Sequence, residues 1–214
     1  MTKLAAVIWD FGGVLTTSPF EAFNRLEIER GLPKDFIRSV NATNPDDNAW
    51  ARFERSEINA EAFDAAFAED AKALGHTLRG ADVLPCLSGD IRPQVVAALK
   101  TCKRHFKVGC ITNNAPVGEG PGMSADPGKA KAVVEVMTLF DHVIESSKIG
   151  LRKPDPRIYA LMCEALAVEA DACVYIDDLG INLKPARQMG MATIKALNED
   201  QILKDLAEAT GLAL

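Results

Sequence analysis

The chain has 214 residues, of which 48% are hydrophobic and 25% charged, with a formal net charge of −6. This length predicts one domain or two around a sizeable core, and the composition excludes disordered, collagen-like and low-complexity proteins. The acidic balance argues against a nucleic-acid-binding protein, which usually carries a basic surface. A small anionic substrate is still compatible with it, provided that cations or a metal collect in one cleft.

Cysteine usage and hydropathy point to a reducing compartment. The five cysteines are odd in number and contain no Cys-x-x-Cys pair, and the three histidines are isolated, so neither a disulfide framework nor a zinc site is expected. The apolar run Leu4–Trp9 is too short for a signal peptide, and no run approaches the roughly 18 apolar residues of a membrane span. We therefore expect a soluble, cytoplasmic protein without membrane insertion.

The first predicted element is a strand over Leu4–Trp9, a continuous apolar run of the kind that is buried on both faces of a parallel sheet. The following stretch, from about Ser18 to Leu87, shows no strand pattern. Asn44–Asp47 predicts a helix start, with a cap, a proline in the first turn and acids near the positive end of the dipole. Asn59 is expected to cap the next helix, whose predicted apolar face comprises Phe63, Ala66, Phe67 and Leu74.

From residue 92 onward strands and helices alternate. The strand candidates are 108–111, 142–144, 173–176 and 192–194. A helix is expected over 92–106, another after the Asp155–Pro156 cap, and a last one that ends at Gly211. The predicted apolar face of the second comprises Ile158, Leu161, Met162, Ala165 and Leu166, and that of the third Ile202, Leu203 and Leu206. The alternation predicts a parallel α/β sheet.

The stretch Gly118–Gly122 contains three glycines, which suggests a phosphate-binding loop. Its spacing is not that of a Gly-x-Gly-x-x-Gly motif, and Gly128–Ala130 lacks the residues of a P-loop. A flexible loop at the border of the active site is the better interpretation.

Polar residues follow three of the predicted strands. Asp10 follows the first, Thr112–Asn113 the second and Asp177–Asp178 a third. In open α/β sheets the ligand crevice lies beyond the carboxyl ends of the strands, so these residues are expected to meet there. Lys153 lies in a loop before a helix and can join them.

Such a group would contain three carboxylates, one hydroxyl and one ammonium. Carboxylates at this density repel each other unless a cation lies between them, and ligands that are all oxygen favour Mg²⁺. A lysine and a hydroxyl beside Mg²⁺ suit a phosphoryl group, and a carboxylate held in line can attack phosphorus to give an aspartyl-phosphate.

Four motifs together resemble those of the haloacid dehalogenase superfamily of hydrolases. They are Asp-Phe-Gly-Gly-Val-Leu at 10–15, Ile-Thr-Asn-Asn at 111–114, Lys-Pro-Asp-Pro at 153–156 and Ile-Asp-Asp-Leu-Gly at 176–180. They occur in the family's order and span the chain. The resemblance implies an α/β fold: a Rossmann-like parallel-sheet core formed by residues 1–17 and 88–214, with an inserted helical type 1 cap over 18–87.

Three longer segments have a closer likeness. Residues 112–114, 152–159 and 177–187 resemble the phosphatase-like domains of soluble epoxide hydrolases and of acyl-CoA dehydrogenase family member 10. Because the sequence ends at Leu214, only this phosphatase-like half is expected. The resemblance implies hydrolysis of a small phosphomonoester, a small phosphorylated metabolite as partner and Mg²⁺ as cofactor; it hints at lipid or sugar phosphates, and leaves the oligomeric state open.

The resemblance also implies roles for matching residues. Asp10 is the implied nucleophile and a metal ligand, and Gly12 offers its backbone carbonyl to the metal. Asp178 is the implied direct ligand of Mg²⁺, with Asp177 ligating through water or from the outer shell.

The resemblance assigns phosphate binding to residues of the second and third motifs. Thr112 and the backbone N–H of Asn113 are implied to hold the phosphoryl oxygens. Lys153 is implied to balance charge near Asp10, with Lys148 as a second choice that lacks the Pro-Asp-Pro context.

The first motif departs from the family pattern at Gly12, where phosphatases have an aspartate that protonates the leaving group and activates water. General acid–base help is worth roughly 10²–10⁴ in rate. Either another group serves, with Thr16, Thr17 and cap residues as candidates by proximity alone, or leaving groups are good, or turnover is slow. Two alternatives follow: a metal-independent 2-haloacid dehalogenase, and a binding or regulatory protein that has lost turnover.

Overall fold

The structure is a computed structural model that describes residues 3–118 and 122–214. Its centre is a five-stranded sheet in the order β3-β2-β1-β4-β5, in which every pair of neighbours is parallel. The strands are β1 (Ala6–Trp9), β2 (Lys107–Thr112), β3 (His142–Glu145), β4 (Cys173–Asp177) and β5 (Ala192–Lys195). The predicted Rossmann-like parallel sheet is confirmed, with all five strands near their expected positions.

Helices surround the sheet. Those between β1 and β2 are α1 (Pro19–Arg30), α2 (Phe36–Ala42), α3 (Ala49–Glu54), α4 (Ala60–Ala73), α5 (Gly80–Val83) and α6 (Pro93–Lys103), with a 3₁₀ turn at Leu84–Leu87. Those that follow are α7 (Pro127–Met137), α8 (Ser146–Ile149), α9 (Pro156–Leu166), α10 (Gly180–Gln188) and α11 (Glu199–Thr210), with a 3₁₀ turn at Ala170–Ala172.

The sheet is buried on both faces because its strands are apolar on both faces. In β1, Val7 and Trp9 pack with residues of α6, α7 and α11, whereas Ala6 and Ile8 pack with α9 and α10 on the other side. Successive side chains of a strand point to opposite faces, so one short apolar run supplies both layers. The sheet therefore presents its carboxyl edge as the open site for ligands.

The helices over 19–87 form their own apolar core, which includes the fully buried Phe53, Phe63 and Phe67. The segments that enter and leave this stretch run side by side: Thr16 and Ile91 form an antiparallel bridge, and the Thr17 N–H donates to the Asp90 carbonyl. An all-helical stretch between β1 and α6 is thus present as expected. The division of the chain into a core and a cap stays a prediction.

The helix start predicted at Asn44–Asp47 is wrong. This stretch is a turn in which Asn44 has a φ of +47°, and α3 begins only at Ala49. The cap is Asn48, whose Oδ1 accepts from the Ala51 N–H at 2.8 Å while its Nδ2 donates to two backbone carbonyls. Asparagine adopts the left-handed conformation more readily than most residues, so the same residue types that start helices also make turns.

Two predicted apolar faces are wrong in part. Leu74 follows the end of α4 and is exposed, and Ala71 takes its place in the core, although Asn59 caps this helix as predicted. In α9 the side chains of Leu161 and Ala165 are exposed.

The residues of α9 that pack on the sheet are Ile158, Tyr159, Met162, Cys163 and Leu166. Tyr159 belongs to this buried side of the helix, and its hydroxyl donates to the Asn182 carbonyl at 2.7 Å. The Asp155 cap of α9 and the Gly211 end of α11 are confirmed.

Other expectations from the sequence have simple outcomes. β1 begins at Ala6 rather than Leu4, and α6 ends at Lys103 rather than Phe106. The five cysteines are free thiols. None of the helices within residues 3–118 and 122–214 is long and apolar enough to cross a membrane. Residues 119–121 of the glycine-containing loop lie outside the described residues.

The corrected start of α3 can be tested by comparing two alanine variants. Asn48→Ala removes the cap and two further hydrogen bonds, so we expect it to lower the free energy of unfolding by about 1–2 kcal/mol. Asp47→Ala, at an exposed position of the turn, should stay within about 0.5 kcal/mol of the unmodified protein. Urea unfolding followed by circular dichroism measures both, and a larger loss for Asp47→Ala would restore the helix start at Asn44–Asp47.

Candidate active site

The sheet order places the three motif-bearing strands next to each other. Because β1 lies between β2 and β4, Asp10, Thr112 and the Asp177–Asp178 pair reach the same part of the carboxyl edge. These are the strand-end residues that the sequence predicts to meet, and the structure brings them together.

Lys153 lies at the centre of this group. Its side chain is 1% exposed, and its Nζ lies 2.8 Å from Asp10 Oδ1, 2.9 Å from Asp177 Oδ2 and 2.9 Å from the Ile111 carbonyl oxygen. Burial lowers the pKa of Lys153, but the charges of Asp10 and Asp177 outweigh burial, so its pKa is raised and it stays a cation. Lys148, the second choice, is exposed, pairs with Glu145 and is not part of this group.

The side chain of Asn113 holds the backbone of Lys153. Asn113 Nδ2 donates to the Lys153 carbonyl at 3.0 Å, and the Lys153 N–H donates to Asn113 Oδ1 at 2.9 Å. The sequence analysis gave Asn113 a role only through its own N–H and missed this clamp. No local pattern signals it, because the two residues are 40 positions apart.

The carboxylate of Asp177 is occupied by donors from the protein. Its oxygens accept from the Leu179 N–H at 2.8 Å, from Asn182 Nδ2 at 3.1 Å and from the Tyr175 hydroxyl, in addition to Lys153. Tyr175 and Asn182 are residues that the sequence analysis did not single out. With its oxygens engaged, Asp177 is suited to hold Lys153 and to act on a metal from the outer shell.

Asp178 and Asp10 carry charge that is incompletely matched. The pKa of Asp178 is raised to about 7, because of burial and then the charge of Asp177, with Lys153 and Arg38 acting in the opposite direction. Burial also raises the pKa of Asp10 well above its usual range, even though Lys153 opposes the shift.

The three carboxylates offer oxygens that lie within 4.8 Å of one another. When ionised, Asp10, Asp177 and Asp178 carry three negative charges against the one ammonium of Lys153, and a divalent cation would remove the remaining two. Oxygen donors suit a hard ion of the Mg²⁺ type. Gly13 packs against this cluster with a φ of +76°, and a Cβ there would lie 2.3 Å from Asp178 Oδ2.

Position 12 has room for a larger side chain. Gly12 lines the cavity, and a Cβ built on it would meet no described atom within 4 Å. Thr112 lines the same space and is 3% exposed. Thr16, one candidate for the missing acid, also lines it, but its hydroxyl donates to the Thr17 carbonyl, and Thr17 is not a lining residue.

A cavity of about 350 Å³ lies over these residues, between the carboxyl edge and the helices of 19–87. Much of its wall is apolar. The large apolar residues in the wall include Phe20, Phe23, Trp50, Met123, Val133 and Ile181. A ligand with a charged end at Asp10 and an apolar body would match this lining.

One ion pair connects α3 to the loop before Lys153. Arg152 Nε lies 2.7 Å from Glu54 Oε2, with the two side chains 19% and 10% exposed, and Trp50 Nε1 donates to Glu54 Oε1 at 2.9 Å. Arg152 also donates to the Pro45 carbonyl at 3.0 Å. The sequence analysis missed Glu54, which lies 98 residues from its partner.

Fold, motif order and site together define a haloacid dehalogenase-type hydrolase. The model of the haloacid dehalogenase-like hydrolases matches residues 4–190, and the chain belongs to this family. The likeness stated from the motifs is confirmed by two curated relatives. The chain is 31% identical to bifunctional epoxide hydrolase 2 of Sus scrofa and 28% identical to acyl-CoA dehydrogenase family member 10 of Mus musculus, over 99% and 98% of its length.

The chain spans only 40% and 19% of those two relatives. Among solved structures, an enzyme of this family from Bacteroides thetaiotaomicron, in complex with magnesium and inorganic phosphate, has a TM-score of 0.59 at 18% identity, with 92% of this chain and 96% of that chain covered. L-2-haloacid dehalogenase from Xanthobacter autotrophicus has a TM-score of 0.61 at 21% identity, with 97% and 84% covered. At these identities the structures establish the shared fold.

The Arg152–Glu54 pair gives a prediction about stability. Glu54→Gln keeps an acceptor for Trp50 but leaves a mostly buried guanidinium without its counter-charge, so we expect a loss of about 1–3 kcal/mol in unfolding free energy. The matched control is Glu57→Gln, in a more exposed pair with Arg55, which should cost less than about 1 kcal/mol. Urea unfolding measures both variants. Equal losses would mean that the Arg152–Glu54 pair contributes no more to the free energy of unfolding than a surface pair does.

Proposed function

We propose that this protein is a Mg²⁺-dependent phosphatase that hydrolyses a small phosphomonoester through an aspartyl-phosphate on Asp10. The observation that carries the proposal is the deficit of positive charge around Asp10, where three carboxylates with close oxygens have one ammonium between them. A divalent cation that joins this site would also bind oxygens of a phosphoryl group.

The residues present fit Mg²⁺. Asp10, Asp178 and the backbone carbonyl of Gly12 would be its ligands, with Asp177 acting from the outer shell. When bound, the ion neutralises phosphoryl oxygens and stabilises the charge that develops in transfer. The Bacteroides neighbour, solved with magnesium and phosphate, supports this choice of ion.

The chain's own residues bind and orient the phosphoryl group. The Thr112 hydroxyl and the Asn113 N–H would donate to phosphoryl oxygens. Lys153 fixes the direction of the Asp10 carboxylate and, together with the cation, would favour its ionised form. The Asp10 carboxylate attacks phosphorus while the bond to the leaving oxygen breaks. Water then attacks the aspartyl-phosphate, releases inorganic phosphate and restores Asp10.

The helical stretch 18–87 acts as the cap in this proposal. It closes the cavity over the phosphoryl site, and its aromatic side chains exclude water from the reaction. The apolar wall receives the body of the substrate, while the identity of that body is set by residues outside the four motifs.

A metal-independent dehalogenase is the second candidate, since Gly12 lacks the acid that phosphatases use and a dehalogenase is among the structural neighbours. The clustering of oxygens of Asp10, Asp177 and Asp178 within 4.8 Å of one another argues against it, because three carboxylates this close repel each other unless a cation lies between them. Halide release from L-2-chloropropionate in the presence of a chelator would favour the dehalogenase over the phosphatase.

The nucleophile is tested with p-nitrophenyl phosphate, which needs no acid because its leaving group is good. We expect phosphate release that requires Mg²⁺, and a loss of at least about 10³-fold in kcat for Asp10→Asn. Circular dichroism shows whether the variant is folded. Equal rates for Asp10→Asn and the unmodified protein would remove Asp10 from the reaction.

The metal site is tested by titration calorimetry with MgCl₂. Asp178→Asn should weaken Mg²⁺ binding by at least about 10-fold, because it replaces a charged ligand with a neutral one. Asp200→Asn, an exposed acid in the first turn of α11, is the matched control and should bind as the unmodified protein does. Unchanged binding by Asp178→Asn would place the ion elsewhere.

The space beside Gly12 allows a test by gain of function. Without a base at position 12, hydrolysis of the aspartyl-phosphate is expected to be slow, so p-nitrophenyl phosphate should give a burst of nitrophenolate close to one per active site. Gly12→Asp should remove the burst and raise steady-state kcat by about 10- to 100-fold. Gly12→Asn has the same size but transfers no proton, and an equal gain in that variant would contradict the role of the missing carboxylate.

A further inference from the structure

The cavity supplies few groups that can protonate a leaving oxygen. Among the described residues that line it, none is a histidine, cysteine or tyrosine, and four carry a carboxyl group. Asp10 and Asp178 serve as nucleophile and metal ligand in the proposed function. Both oxygens of Glu54 accept hydrogen bonds, from Trp50 and Arg152, so Glu54 is committed to these two residues. Only Asp46 remains, on an exposed turn.

Among the described residues that line the cavity, one cation has no close buried partner. Lys153 is committed to Asp10 and Asp177, and Arg152 to Glu54. Arg38 also lines the cavity, and its ion pair is a 3.5 Å contact with Asp35 in which both side chains are nearly half exposed. Such a pair holds the guanidinium weakly, so Arg38 is available to an anionic ligand.

Arg38 is carried by a well-fixed element. Glu27, which is 1% exposed, accepts from the N–H groups of Asp35 and Ile37 at 2.8 and 2.9 Å and so anchors the start of α2. The guanidinium of Arg38 lies 4.4 Å from the centre of the Phe20 ring, another lining residue. Helix anchoring and ring contact together limit where this charge can go.

Asn41, one turn further along α2, lines the cavity too, and its Oδ1 is buried without a hydrogen-bond partner among the described residues. Buried polar atoms are rarely left unpaired, so an unpaired one that lines a cavity points to a ligand. Helix α2 therefore contributes a cation and a polar acceptor to the lining of the cavity.

We infer that the substrate is a phosphoanhydride, in which a terminal phosphoryl group is joined to a second acid group, and that Arg38 binds this acid as it departs. The inference rests on one part of the proposed function, the attack of Asp10 on a phosphoryl group, and it replaces the phosphomonoester with a phosphoanhydride as the substrate class. The second acid is a carboxylate in an acyl phosphate or a phosphate in an organic diphosphate. Both leave as stable anions, and the apolar wall receives the organic body attached to them.

The reaction balances without a proton donor at position 12. The Asp10 carboxylate forms a bond to the terminal phosphorus, and the P–O bond to the second acid breaks. The electron pair stays on the departing oxygen, which is an anion held by Arg38. Water then forms a bond to the phosphorus of the aspartyl-phosphate while the P–O bond to Asp10 breaks. Both protons of the water stay on the phosphate, which leaves as dihydrogen phosphate, and Asp10 is restored as a carboxylate. No oxidant, reductant or co-reactant is needed.

The test uses substrates that share a phenyl body and differ in the leaving group. Benzoyl phosphate and phenyl diphosphate are the two anhydrides. Benzyl phosphate has a poor, alkoxide leaving group. The leaving group of p-nitrophenyl phosphate is good, but it is a phenolate and not a carboxylate or a phosphate. With Mg²⁺, and after subtraction of the rate with Asp10→Asn, kcat/KM for at least one anhydride should exceed that for benzyl phosphate by at least about 100-fold. The faster anhydride identifies which acid the cavity takes.

Arg38→Gln isolates the contribution of the guanidinium. We expect kcat/KM for the preferred anhydride to fall by at least about 10-fold more than kcat/KM for p-nitrophenyl phosphate, which measures any effect of Arg38 that acts through Asp178. Arg38→Lys should restore part of the loss because it keeps the charge. Gly12→Asp should raise the rate with benzyl phosphate more than the rate with the anhydride. The ratio of kcat/KM for the anhydride to kcat/KM for benzyl phosphate should therefore fall.

Several results would overturn the inference and leave the proposed function in place. Benzyl phosphate turned over as fast as the anhydrides is one, and a fall in that rate in Asp46→Asn would then identify Asp46 as the acid. An equal loss for all substrates in Arg38→Gln would assign Arg38 a structural role. The proposed function itself fails only if none of the four substrates is hydrolysed faster by the unmodified protein than by Asp10→Asn.

Discussion

The ammonium group of Lys153 is the contact on which the site depends. One buried cation bonds to the carboxylates that end β1 and β4 and to a carbonyl of β2, so a residue from a loop joins three neighbouring strands at one point. Removing such a charge would leave buried carboxylates unmatched, which costs several kcal/mol. The position of Asp10 is therefore set by electrostatics as much as by the strand that carries it.

The same contact separates the two adjacent acids by function. Asp177 lies with Lys153, Tyr175 and Asn182, and its oxygens are used up in the fold. Asp178 lies on the cavity side with a raised pKa, because burial and the neighbouring charge of Asp177 act on it together. Two like residues in sequence thus differ in their surroundings: one fixes the lysine, and the other is left with charge that only a further cation can match.

The sequence predicts the sheet and the strand-end residues for a physical reason. A strand buried on both faces must be a short apolar run, and parallel strands bring their carboxyl ends to one edge, so Asp10, Thr112 and Asp177 could be grouped before any contact was known. The contacts that hold the group together could not be predicted from the sequence. The clamp between Asn113 and Lys153 and the pair between Glu54 and Arg152 join segments that are 40 and 98 residues apart.

Local patterns were also ambiguous where one residue type serves two structures. Asn44 is a residue type that often caps helices, yet its left-handed backbone makes it part of a turn. Asn48 caps the helix instead. Leu161 matches the spacing of an apolar face, but α9 packs on the sheet through the side that carries Tyr159, whose hydroxyl donates to the Asn182 carbonyl, and Leu161 is exposed.

The cavity has a side formed by the ends of the strands and a side formed by helices, and the sequence motifs identify the residues of the first side only. The sheet side is fixed by strand ends, and its residues can be named from the sequence. The helical side depends on how α2 is oriented, and the buried Glu27 and its two backbone partners fix the start of that helix. In the proposed chemistry Gly12 connects the two sides, because a site without a proton donor at position 12 favours leaving groups that depart as anions. The charge that meets such an anion would come from α2, since Arg38 is, among the described residues that line the cavity, the cation that the rest of the site leaves available.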